Sequence, residues 1–198
     1  MKNKLNKIVL STLLVASTLV AGESTSTYTF DDTYSFVGIE GGVGRLDVER
    51  SDGTNPSTLK KYDMFSGGLK IGAQTENYKV YLNANYYDAD DFDYLATYGV
   101  GIQYMFNLSK RLDAFLGVNG GIANMKFLPA GEANTRTISD PYFGGEAGVN
   151  IHMGQKVDLE LGARFYSMDA SNSIADVKYT FDNMISAYAS VNFKFKMN

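Results

Sequence analysis

Seven charged side chains stand singly in stretches otherwise built from Gly, Asn, Ser, Tyr and aliphatic residues: Glu40, Lys70, Glu146, Asp158, Glu160, Arg164 and Lys194. Such a set admits two kinds of chemistry. Paired carboxylates act as general acid and base when their surroundings push their proton affinities apart. Carboxylates matched with cations make ion pairs instead, and pairing is what makes a charge tolerable away from water. Nucleophilic catalysis needs a base held beside a hydroxyl or thiol. The chain has one His, His152, beside the segment "MGQK" (153–156), and no Cys. His152 is expected to flank a turn. No nucleophile and base are placed together, so no catalytic residue is assigned and the protein is not expected to be an enzyme.

Two other motifs bear on ligands. "DADDFD" (88–93) gathers Asp88, Asp90, Asp91 and Asp93, hard oxygen ligands suited to a divalent cation or to bridging lipopolysaccharide through one. It does not fit the calcium-binding EF-hand loop, whose sixth position takes Gly and twelfth Glu, because Asp93 and Gly99 stand there. A solvated acidic loop is the expectation, with no metal and no cofactor. "GGVGRL" (41–46) has the glycines of a dinucleotide loop without the helix that must follow. Those glycines are expected to make room for neighbouring side chains.

The elements that must position these residues show in a strict alternation. In "KVDLELGARFYS" (156–167), Val157, Leu159, Leu161, Ala163 and Phe165 share one parity, and Asp158, Glu160, Arg164 and Tyr166 the other. Successive side chains of a strand leave opposite faces, so this is a strand with one apolar and one polar face. Seven further stretches repeat it, at 36–46, 65–74, 78–87, 97–106, 113–122, 142–151 and 185–195. The connections alternate too. Those at 49–60, 88–95, 127–140 and 169–182 are long and polar, and those at 75–77, 107–111 and 153–155 are short. Long and short connections therefore lie at opposite ends of an antiparallel sheet.

Residues 1–22 stand apart. Lys2, Lys4 and Lys7 precede an apolar run from Ile8 to Val20, and "VAG" supplies small residues for cleavage, the order of an export signal. Residues 23–33 are expected to form an N-terminal periplasmic segment. Without the signal, 15 basic and 22 acidic residues remain, so the net charge moves from −4 to −7 and nucleic acid is not an expected partner. Beyond residue 22 no apolar run reaches the ~18 to 20 residues that a membrane helix needs. A membrane crossing must use strands.

Short turns at one end, long loops at the other and an even strand count are the layout of an outer-membrane barrel. The aromatics divide accordingly. Phe65, Tyr86, Tyr98, Phe143 and Phe165 come to the long-loop rim, and Tyr104, Phe106, Phe193 and Phe195 to the short-turn rim, as two interfacial girdles. Residues 34–198 are the expected barrel domain, and over 34–197 the chain resembles the small eight-stranded outer-membrane barrels of OmpA and OmpX type. The resemblance implies an all-β, antiparallel up-and-down barrel with periplasmic turns and extracellular loops. It also implies lipid and lipopolysaccharide as surroundings, and an assembly machinery that reads a terminal aromatic. Here Phe193 and Phe195 have the right parity but "KMN" follows.

If the apolar parity meets lipid, the seven charges face a lumen just wide enough for side chains to fill. Glu40 then falls level with Lys70, Glu146 with Arg164, and Asp158 or Glu160 within reach of Lys194. An ion-paired plug is the expectation, and a structural or adhesive role through loop residues in "SDGTNPSTL" (51–59) and "LPAGEANTRTISD" (128–140). Two alternatives are a small-solute pore and a soluble periplasmic barrel of lipocalin type, apolar parity inward around a hydrophobic ligand.

Overall fold

The computed structural model describes residues 33–51, 58–89, 92–127, 135–174 and 177–196. The alternating stretches become eight strands: β1 (Tyr34–Ser51), β2 (Thr58–Gln74), β3 (Tyr78–Asp88), β4 (Phe92–Ser109), β5 (Leu112–Phe127), β6 (Arg136–His152), β7 (Val157–Ile174) and β8 (Val177–Phe195). Each pairs antiparallel with its neighbour in sequence, and β1 also pairs with β8. The sheet thus closes into a barrel without edges, which satisfies the backbone hydrogen bonds that an open edge would leave bare.

Register keeps the two parities on opposite faces around the whole circumference. Val37, Ile39, Leu69, Ile71, Leu82, Val100, Ile102, Leu116 and Val118 point outward and are 40–62% exposed. Their strand neighbours Glu40, Lys70, Asn83, Gln103 and Asn119 point inward and are buried. The soluble alternative, with the apolar parity inside, does not hold for this band. At Gly162 an added Cβ would come within 2.7 Å of the Tyr188 ring, so the wall must stay bare there for the ring to lie across it. At Gly42 it would meet the Ser66 hydroxyl at 3.0 Å.

Strands run well past the stretches that the alternation marked. The segment 169–182, expected as a loop, is strand at 169–174 and 177–182. The segment 88–95 is strand from Phe92, and 127–140 is strand from Arg136. The physical reason is an inversion of the pattern. Above the level of Val43 and Phe65, outward positions turn charged, as in Arg45, Asp63 and Lys61, while inward positions turn apolar, as in Leu46, Val48 and Met64. Polar outward residues gave these stretches the composition of loops, yet the chain continues as a sheet with an ordinary apolar core. That core joins Leu46, Met64, Leu95, Met125, Phe127, Met168, Phe181 and Met184 inside the upper barrel. Phe127 and Phe181 meet edge to face with ring centres 5.2 Å apart, as do Tyr142 and Tyr166 at 4.7 Å. Residues 52–57 and 128–134, parts of the two segments expected to contact a partner, lie outside the described residues. So do the export signal and nearly all of the segment 23–33.

Candidate functional site

Below the apolar core the lumen holds a continuous ionic network. Its first centre is Arg164 on β7. Its Nε donates to Glu146 at 2.9 Å, its Nη2 donates to Glu40 at 2.7 Å, and its Nη1 donates to the other oxygen of Glu40. The planar guanidinium thus grips Glu40 in a two-pronged fork. Glu146 and Arg164 are direct cross-strand partners, whereas Glu40 reaches over from β1. The Tyr188 ring lies 3.8 Å from the guanidinium carbon, a cation–π contact that covers the cation's face.

The second centre is Glu160, also on β7. It accepts from Lys70 at 2.8 Å, Lys79 at 2.5 Å, the Tyr188 hydroxyl at 2.8 Å and Gln103 at 3.2 Å. Lys70 also lies 3.4 Å from Glu40, which joins the two centres. Tyr81 donates to Glu146, and Gln103 reaches the same carboxylate at 2.9 Å. At the short-turn end, Asp158 accepts from Lys194 at 2.7 Å. His152 bridges Asp158 through Nδ1 at 3.0 Å and Asp113 through Nε2 at 2.8 Å.

All seven charges singled out from the sequence therefore lie buried in the lumen. The sequence reading missed Lys79, Tyr81, Gln103, Asp113 and Tyr188. Each occupies the inward parity of its strand, so extending the parity rule to every polar residue would have found them. His152 flanks the turn as expected, at the end of β6, and it also bridges two buried carboxylates, with its side chain 7% exposed. Carboxylates only accept, so both ring nitrogens must donate and the imidazole carries a charge. Five lumen carboxylates then face four fixed cations plus His152, and the described network is balanced. Replacing His152 with alanine is expected to lower stability by about 1.5 to 3 kcal/mol, the worth of hydrogen bonds between charged groups. Urea unfolding in detergent micelles measures it, and an unchanged midpoint would mean that water replaces the imidazole without loss.

The nine aromatics all point outward, 39–72% exposed. Tyr104 packs edge to face on Tyr78 and Phe106, with ring centres 5.2 and 4.8 Å apart. In the acidic segment, Asp88 is exposed and Asp93 pairs with Lys126 at 3.1 Å, while Asp90 and Asp91 lie outside the described residues. No group of three potential metal ligands occurs among the described residues.

A closed eight-stranded barrel, apolar outside and ionic inside, has known counterparts. A model of the Helicobacter outer membrane protein family matches residues 59–195. The chain belongs to that family. It is an outer-membrane β-barrel protein, and the match starts at the second strand and ends with the last. The fold of this family member also matches that of neisserial surface protein A, with a TM-score of 0.59 and 16% identity over 83% of this chain and 100% of that one. OprG from Pseudomonas aeruginosa matches with a TM-score of 0.50 and 13% identity over 83% and 97%. At such identities the likeness is one of fold alone. No curated protein sequence matches the chain.

Proposed function

We propose that this barrel is closed to solutes and serves the envelope as a structural and surface-presenting element, in envelope integrity or adhesion. The observation that carries the reading is the doubly filled interior. An ionic network occupies the lower lumen and an apolar core the upper, so an ion entering from either end meets side chains that are already paired or packed. Planar-bilayer recording tests it. Purified barrel is expected to give no conductance steps, and reproducible open-channel conductance would establish the small-solute pore instead.

The same reading is non-enzymatic. Both ring nitrogens of His152 are committed to carboxylates, leaving neither to accept a proton from a nucleophile. Outward aromatics anchor the barrel at the two membrane interfaces, among lipid and lipopolysaccharide. Phe193 and Phe195, outward on the last strand, are the aromatics offered to the assembly machinery. An extracellular partner would meet the upper end around 52–57 and 128–134. Deleting both segments is expected to abolish adherence while leaving the barrel folded, and full adherence of the deletion strain would remove the surface role.

A further inference from the structure

An apolar groove with a volume of about 420 Å³ opens on the outside of the barrel across β7, β8, β1 and β2. That is within the size range of small-molecule sites, about 300 to 1,000 Å³. Register arranges its lining in two outward rows. Ala163, Ala187, Val43 and Phe65 form the lower row on four successive strands, and Ile185, Arg45 and Asp63 stand directly above. The two alanines leave a hollow between the larger Phe65 and Ile185. Arg45 and Asp63 close its top.

We propose that this groove holds one acyl chain of an outer-leaflet glycolipid of lipid A type, with a lipid phosphate on Arg45. The inference rests on the outer-membrane location and not on the closed-lumen reading. Three observations converge on that occupant. On β1 and β2 the Val43–Phe65 pair is the last apolar one before outward residues turn charged, so the groove lies where hydrocarbon gives way to headgroups on the loop side. Its lower lining is aliphatic and aromatic, which suits an acyl chain and nothing polar. Its upper rim presents a guanidinium. Asp63 takes the Nε–H of Arg45 at 2.8 Å, a bond that does not use the terminal amino groups, the prongs that match phosphate oxygens.

The test uses the full barrel, stripped of lipid in detergent micelles and titrated with lipid A, with bound stoichiometry read by native mass spectrometry. Wild type is expected to retain one lipid A. Ala187→Trp and Ala163→Trp, which fill the hollow from outside without touching the lumen, are expected to lose it. Arg45→Gln is expected to weaken binding roughly tenfold, the worth of one charge-assisted hydrogen bond. Val100→Trp, on the lipid-facing side of β4, should bind as wild type does. The heat-dependent mobility shift in SDS checks that each variant is folded. Equal retention by wild type and both tryptophan variants would overturn the proposal. So would a lipid-independent dimer cross-linked through position 187, which would mean that a second copy covers the groove. Equal binding of phosphatidylcholine by wild type and by Arg45→Gln would overturn the phosphate contact.

Discussion

Replacing Arg164 with alanine is expected to destabilise the barrel by about 3 to 5 kcal/mol, the usual cost of leaving a buried charge without its partner. Arg164 serves two carboxylates at once, Glu40 through a fork and Glu146 through Nε, and both are nearly inaccessible to water. Neither has another cation that can replace it: Lys70 stands 3.4 Å from Glu40 and is already committed to Glu160. Lysine at position 164 is expected to recover only part of the loss, because a single ammonium cannot make the fork and the third bond together. The double variant Arg164→Met, Glu146→Gln should return part of it, since Glu40 keeps Lys70 at 3.4 Å and the remaining carboxylates and cations of the lumen again match in number. Urea unfolding in micelles, read by the mobility of unboiled samples, separates these outcomes. If Arg164→Ala unfolds at the wild-type concentration, Glu40 and Glu146 are hydrated and the lumen is wet.

Replacing Phe181 with alanine is expected to cost a similar amount, about 3 to 5 kcal/mol for a buried aromatic, but in a different place. Phe181 is 1% exposed in the upper core, against Phe127 at 5.2 Å and Phe92 at 6.1 Å between ring centres. Nothing ionic depends on it. The loss should therefore appear as local opening of the upper barrel, while the membrane-level network keeps the lower barrel resistant to SDS. Limited proteolysis of the protein in vesicles should cut the variant within the upper strands, with the remaining fragment still shifting on boiling. Loss of SDS resistance together with protease resistance would show that the two zones unfold as one unit.

Much of this was legible in the sequence, and the rest was hidden for a physical reason. Alternation located all eight strands, since register demands period two wherever the two faces meet different surroundings. It located Glu40, Lys70, Glu146 and Arg164 on the inward parity because charges cannot occupy the lipid side. The same signal placed Lys79 and Asp113 inward, but strands near their ends read weakly and these were passed over. His152 reads as a turn-flanking residue, which it is; its bridging role was hidden because its two partners lie on β5 and β7, the strands on either side of β6. The upper core was the largest omission. Leu46, Met125, Met168 and Phe181 lie inward where the lipid has ended, and the sense of the alternation reverses there. Read with one rule from end to end, those stretches look like loops. The lipid groove has no signature in a single strand, because its hollow comes from alanines 24 positions apart that register brings side by side.

Closure by β1 against β8 carries a consequence for how the chain folds. The bond from Arg164 to Glu40 spans 124 residues, and those from Glu160 to Lys70 and Lys79 span 90 and 81. A half-built sheet of early strands would carry Glu40, Lys70 and Lys79 with their main partners still to come. Every carboxylate and ammonium would then need water, which the hydrocarbon cannot give. Productive insertion must keep the nascent lumen wet until the final strand arrives, and only then expel that water as the ions meet. Contacts of such long sequence separation make for slow folding. The late step should also be all-or-none, with the last strand acting as the switch that converts a hydrated, open sheet into a dry and sealed one.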